Sequence, residues 1–145
     1  MADKIRVLVL CTGNSARSQM AEAFLRRYGG DRFEVHSAGL EPKGINPFTV
    51  RVMQEAGYDL AGQRSKDLSE YFGKVHFGYI ITVCSRAEAQ CPIFPGVSIR
   101  LHWPFDDPAA VEGTDQVKLA AFRRVRDEIE AKVQAWLRDV DAQRA

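Results

Sequence analysis

The sequence predicts an α/β fold, a single three-layer domain in which a parallel sheet of four strands is flanked by helices. Short runs rich in branched residues alternate with stretches of helical spacing, and such alternation builds parallel sheets with right-handed crossovers. The first run is nearly continuous in apolarity, as a strand covered on both faces must be. At 145 residues, 46% of them hydrophobic, the chain is close to the usual size of one domain with one continuous core, here residues 1–145.

Ile5-Arg6-Val7-Leu8-Val9-Leu10 is that first run, expected as a central strand. Behind it Met20, Phe24 and Tyr28 recur every fourth residue beside Ala21 and Leu25, a helix stopped at Gly29-Gly30. Residues 33–38 read as a second strand ended by Gly39, and residues 47–56 have helical spacing with Gly57 as their stop. A short helix is expected over residues 65–75, followed by a strand at 79–83 that delivers Cys84 at its carboxyl end. Residues 98–102 read as a fourth strand. Thr114 caps a long last helix with an apolar stripe of Val117, Phe122, Val125, Ile129, Val133, Trp136 and Val140. The polar tail beyond Val140 is expected to be disordered. Ligands of such folds bind at the carboxyl ends of strands, which puts Cys11 and Cys84 on the functional rim.

Twenty basic and nineteen acidic residues leave a net charge of +1, so no overall field draws in nucleic acid or an anionic membrane. Any anion specificity has to be local. The run Val7-Leu8-Val9-Leu10 is too short for a signal-peptide core, and nowhere do eighteen apolar residues follow one another. A cytoplasmic protein is expected, and with no long exposed apolar segment, a monomer. Three cysteines, Cys11, Cys84 and Cys91, are too few and odd in number for a secreted disulfide framework, which leaves metal binding or thiol chemistry. No Cys-x2-Cys pair is present to begin a structural zinc site.

Cys11-Thr12-Gly13-Asn14-Ser15-Ala16-Arg17-Ser18 links the first strand to the first helix. Successive N–H groups in a tight loop form a nest for an anion, and the helix that follows adds free N–H groups and the positive end of its dipole. Gly13 lets the loop fold closely. Arg17 offers two oxygens a planar fork of donors that lysine cannot match. The same positive surroundings are expected to make Cys11 a thiolate at neutral pH, with Ser18 donating a hydrogen bond to it. Asn14 suits a backbone position of positive φ. A cysteine ending a buried strand is often inert; the loop and the arginine at fixed spacing argue for a nucleophile.

This Cys-x5-Arg-Ser loop after an amino-terminal strand resembles that of the low-molecular-weight tyrosine phosphatases and their arsenate-reducing relatives, and the resemblance covers almost the whole chain. It implies a four-stranded parallel sheet of flavodoxin-like type. The family's second signature, an aspartate before proline in a late loop, is matched by Asp107 in Trp103-Pro104-Phe105-Asp106-Asp107-Pro108. Pro108 restricts Asp107 to extended backbone, and the resemblance makes Asp107 the acid that protonates a departing oxygen. Asp106 reads as a solvated neighbour, and His102 and Trp103 as core or surface residues.

Phosphate and arsenate share shape and charge, so the loop alone does not separate hydrolysis from reduction. Electrons do. Ester hydrolysis needs none, whereas arsenate becomes arsenite by taking two, the number a pair of thiols gives up in forming a disulfide. Cys84 and Cys91 bracket a short segment that reads as readily remodelled. Their Cys-x6-Cys spacing resembles the thioredoxin-coupled arsenate reductases, and Ala109 and Ala110 stand where the phosphatases carry paired tyrosines. The implied mechanism is attack of Cys11 on arsenate, a Cys11–Cys84 disulfide, its transfer to Cys84–Cys91, and reduction by thioredoxin after local unwinding of residues 84–91.

The resemblance implies no tightly bound cofactor but a potassium ion beside the loop, at positions matching Asn14, Glu22, Ser37, Ser65 and Asp67. Phosphate or sulfate is expected to mimic arsenate in the loop. Two rivals stand beside reduction: a low-molecular-weight phosphatase hydrolysing phosphate monoesters, and a non-catalytic anion sensor. An intact Asp107 and an attackable thiol argue against the sensor.

Overall fold

A computed structural model describes residues 4–91 and 99–144. Its order is β1 (Ile5–Cys11), α1 (Arg17–Gly29), β2 (Phe33–Gly39), α2 (Pro47–Glu55), a 3-10 turn (Leu68–Glu70), β3 (Tyr79–Thr82), α3 (Ser85–Gln90), β4 (Ile99–His102), a second 3-10 turn (Pro108–Ala110) and α4 (Asp115–Arg144). The four strands form one parallel sheet in the order β2-β1-β3-β4. Val7, Leu8, Val9 and Leu10 are fully buried, as the centre of a sheet covered on both faces requires. On β4, by contrast, Ile99, Arg100 and His102 are exposed, the pattern of an edge strand.

Helix α2 starts where Asn46 accepts a hydrogen bond from Phe48 N at 2.8 Å, with Pro47 in the first turn. It stops before Gly57, whose φ of +89° few other residues adopt cheaply. Thr114 does cap α4, its hydroxyl accepting from Val117 N. The buried stripe of α4 is Leu119, Phe122, Val125, Ile129, Val133, Leu137 and Val140, each worth about 1.5–3 kcal/mol over exposure. Through it α4 packs on α1 and α2. Trp136 completes this layer against the rings of Phe33, Tyr79 and Trp103.

Several expectations change. Residues 65–75 make only the 3-10 turn, because Asp67 caps it at Ser69 N, Leu68 is its single buried residue, and Gly73 turns the chain at a φ of +76°. Val117 is 48% exposed and leaves the stripe to Leu119 and Leu137. Helix α4 continues past Val140 to Arg144, with Asp141 tied to Arg32 at 3.0 Å. The short segment between Cys84 and Cys91 is helical. Good helix formers, Ala87, Glu88, Ala89 and Gln90, wind α3 between the two cysteines. Ser98, Pro92, Pro95 and Gly96 lie outside the described residues. No described helix is long and apolar enough to cross a membrane.

Candidate active site

The backbone carbonyls of the loop are turned outward and tied down. Thr12 O accepts from Glu41 N, Gly13 O from Lys43 N and the Ser65 hydroxyl, Asn14 O from the Gln19 amide, and Ser15 O from Asn46 N. The N–H groups of Gly13, Asn14, Ser15 and Ala16 donate no hydrogen bond among the described residues. A loop whose acceptors are all spent on the scaffold and whose donors are all unspent is a ready anion seat. Asn14 sits at its centre with φ of 49°, as its residue type suggested. Its amide nitrogen donates to the hydroxyls of Ser18 and Ser37 at 2.8 and 2.9 Å, and its side-chain oxygen accepts from Lys66 N at 2.8 Å. Ser18 Oγ accepts from Asn14, which leaves its own hydroxyl proton to be donated.

A cavity of about 430 Å³ opens over the loop, with Cys11, Arg17, Lys43, Arg86, Asp107 and Ala109 in its lining. Arg17 and Lys43 face the Asp107 carboxylate there, while Arg86 is paired with Glu41 at 2.5 Å, so the site is locally positive in a chain of almost no net charge. Arg17 is aimed by its Nη1 bond to Phe105 O at 3.1 Å. Its Nε is buried with no hydrogen-bond partner among the described residues, a donor that an oxyanion would satisfy. Asp107 Oδ2 stands 3.8 Å from Arg17 Nη2, while Oδ1 caps the turn at Ala109 N, 3.0 Å away. Asp106 pairs with Arg124, His102 with Thr82, and Trp103 packs on Trp136, all as structural residues.

Parallel pairing of β1 with β3 brings Cys11 and Cys84 to the same end of the sheet. There the two sulfurs are close enough to perturb each other's ionisation. Cys84, then burial, pushes the Cys11 thiol up, against the pull of Arg17 and Thr12 N–H. Cys11 in turn, helped by Thr12 and Ala87 N–H, pushes Cys84 down to about 5. Thr12 Oγ1 lies 3.3 Å and Ala87 N 3.4 Å from its sulfur. The expectation that Cys11 is a thiolate at neutral pH is thus revised: the neighbouring Cys84 and burial hold its pKa up. Cys91 closes the other end of α3, half-buried, and burial raises its pKa.

Of the residues proposed for a cation, Asn14, Glu22 and Ser37 gather behind the loop. The Ser65 hydroxyl goes to Gly13 O, and the Asp67 carboxylate caps Ser69. At the centre of the cluster is the ammonium of Lys66, 3.3 Å from Ser37 Oγ and 3.4 Å from Glu22 Oε1. Ser37 donates to Glu22 and accepts from Asn14 and Lys66, which uses its one proton and both lone pairs. With Lys66 in place, these residues do not fit a potassium ion. Among the described residues no group of three His, Cys, Asp or Glu side chains is arranged for a metal.

The family model described as low molecular weight phosphotyrosine protein phosphatase matches residues 6–145. The chain belongs to this family. An arsenate reductase of Halalkalibacterium halodurans is 46% identical over 131 residues, which are 90% of this chain and 93% of that protein. Among solved structures, an arsenate reductase in the phosphate binding state matches with a TM-score of 0.75 at 28% identity, over 93% of this chain and 98% of that one. The thioredoxin-dependent arsenate reductase of Corynebacterium glutamicum gives 0.71 at 27% identity, over 99% of this chain and 65% of that one.

Several residues of this phosphatase-family site escaped the sequence. Gly39 read as a strand stop, yet a Cβ there would meet Thr12 O at 2.8 Å and Asn14 N at 2.9 Å. Gln19 reads as one polar helix residue among others, and it pins Asn14 O and Arg64 O. Lys66 in a polar segment carries no sign of burial. Lys43 and Arg86 reach the cavity from elements far apart in the chain, and no local pattern marks such a meeting.

Proposed function

We propose that this chain reduces arsenate to arsenite and that Cys11, Cys84 and Cys91 carry the electrons in turn. The observation that carries the reading is the placement of Cys84 beside Cys11, its sulfur 3.3 Å from Thr12 Oγ1 of the anion loop. A phosphatase needs one sulfur at its anion seat; a reductase needs a second within reach of the first. The similarity to arsenate reductases over most of the chain supports the same choice.

Arsenate binds with its oxygens on the loop N–H groups and the Arg17 fork. Arg17 and the loop N–H groups offset the charge of a thiolate at Cys11, whose proton passes to Cys84, and this leaves the nucleophile at the anion. The Cys11 thiolate bonds to arsenic, and one oxygen leaves as water with a proton from Asp107. Cys84 then gives that proton to an arsenic-bound oxygen and attacks Cys11 Sγ as a thiolate. The sulfur–arsenic bond breaks, its electron pair stays on arsenic, and arsenite departs from a Cys11–Cys84 disulfide. Cys91 attacks Cys84 Sγ, Cys11 is released as thiolate, and the oxidised pair becomes Cys84–Cys91.

Helix α3 opposes that last step. Seven residues of about 1.5 Å rise hold Cys84 and Cys91 about 10 Å apart along the axis, against the roughly 4.4–6.8 Å between Cα atoms that a disulfide spans. The helix has to open. It is short, with Ala87 its one buried residue, so opening exposes little apolar surface. The new disulfide is then presented to a cytosolic dithiol protein, thioredoxin, whose two thiols supply two electrons and become a disulfide in their turn. The similarity to a thioredoxin-dependent arsenate reductase favours that donor.

The test is arsenate-dependent NADPH oxidation coupled through thioredoxin and its reductase, beside hydrolysis of an aryl phosphate. Turnover with arsenate that is lost in Cys91→Ser supports the relay. Brisk ester cleavage, unchanged in Cys91→Ser and without arsenate turnover, establishes the phosphatase instead, a reading the same loop and Asp107 would serve.

A further inference from the structure

Lys66 is 6% exposed, an uncommon place for an ammonium. Its Nζ meets three oxygens: Arg64 O at 2.9 Å, Ser37 Oγ at 3.3 Å and Glu22 Oε1 at 3.4 Å. Glu22 is 1% exposed. A buried carboxylate without a cation beside it is too costly to persist ionised. Arg26 Nη2 holds Oε2 at 2.7 Å from the solvent side, and Lys66 serves Oε1 from within.

This charge is connected to the anion loop by a chain of hydrogen bonds. Glu22 fixes the Ser37 hydroxyl, Ser37 accepts from Asn14 Nδ2, and Asn14 holds its unusual backbone angle in the middle of the loop. The lysine main chain closes the circle, since Lys66 N donates to Asn14 Oδ1. A carboxylate, a hydroxyl and a carbonyl around one positive centre are also the oxygen set that an alkali cation takes.

We propose that the ammonium of Lys66 occupies the place of a monovalent cation behind the anion loop, so that the loop keeps its shape without potassium. Lys66 is then a positioning residue, acting through Ser37 and Asn14. Replacing it by a small neutral residue leaves Glu22 and Ser37 with a vacancy of the right size and charge for potassium, and a dependence on that ion appears.

Thermal unfolding of the reduced full chain tests this in potassium chloride against tetramethylammonium chloride at equal concentration, the latter cation being too large to enter. Wild type melts at the same temperature in both. Lys66→Ala melts lower than wild type in tetramethylammonium, and potassium raises its melting temperature by about 4 °C or more, saturably. Lys66→Met, which fills the space without the charge, is destabilised and is not rescued by either salt. Specific stabilisation of wild type by potassium overturns the proposal. So does indifference of Lys66→Ala to potassium, folded or not, and so does a Lys66→Met protein as stable as wild type. Melting requires no turnover, so failure here leaves the arsenate reading untouched, and failure of that reading leaves this one.

Discussion

Cys11 ends β1 and Cys84 follows the neighbouring parallel strand β3, so that the two sulfurs lie close enough for each to shift the other's ionisation. The sheet alone dictates this meeting. Leu10 pairs with Thr82, so the residues just beyond emerge side by side at the carboxyl edge. Thr12 and Ala87 N–H then supply the donors that steady a negative sulfur at position 84.

Because Cys84 is pushed down to about 5 from an ordinary 9.0, its contribution to stability is full above 9.0 and is lost as pH falls through about 5. Cys11 is raised, so its contribution is full below 9.0 and is lost as pH rises further. The pair therefore makes stability climb from about pH 5 to about pH 9. Denaturant midpoints measured across this window should rise in wild type and show a flatter course in Cys84→Ala. In that variant the ultraviolet absorbance of the remaining site thiolate should appear at lower pH than Cys11 ionises in wild type, since the main cause of its raised pKa is gone.

Much of this was legible in the sequence. The Cys11 to Ser18 loop announces itself because its chemistry is local: a nest, a clamp and a helix start in consecutive residues. Asn14 could be assigned its positive φ from residue type alone. Helix α3 could not be read, since its cap is Cys84, not one of the usual capping residues, and Ser85 stands one position inside. The raised pKa of Cys11 was also hidden, because it depends on two sulfurs remote in the chain. Lys66 looked like any surface lysine, and only tertiary packing reveals it as buried.

Gly39 carries a prediction of its own. A methyl group there collides with Thr12 O and Asn14 N, both backbone atoms that cannot step aside without moving the loop. Gly39→Ala should lose about 1–3 kcal/mol of stability. It should also weaken binding of phosphate, measured by calorimetry, whereas alanine at the open Gly62 position should change neither.

Arg17→Lys keeps the charge and loses the fork. Lysine cannot keep the Phe105 O contact and still grip two anion oxygens. Steady-state arsenate turnover should fall by roughly 10²–10³, mostly in kcat, as when one preorganised donor is removed from an oxyanion site.

The most direct measurement is mass-spectrometric mapping of disulfides after one equivalent of arsenate is added to the fully reduced protein, without any external reductant. Wild type should release one arsenite and carry Cys84–Cys91, whereas Cys91→Ser should release one arsenite and stop with Cys11 bonded to Cys84. Three free thiols beside intact arsenate in wild type, or arsenite formed with no disulfide between these cysteines, would contradict the relay.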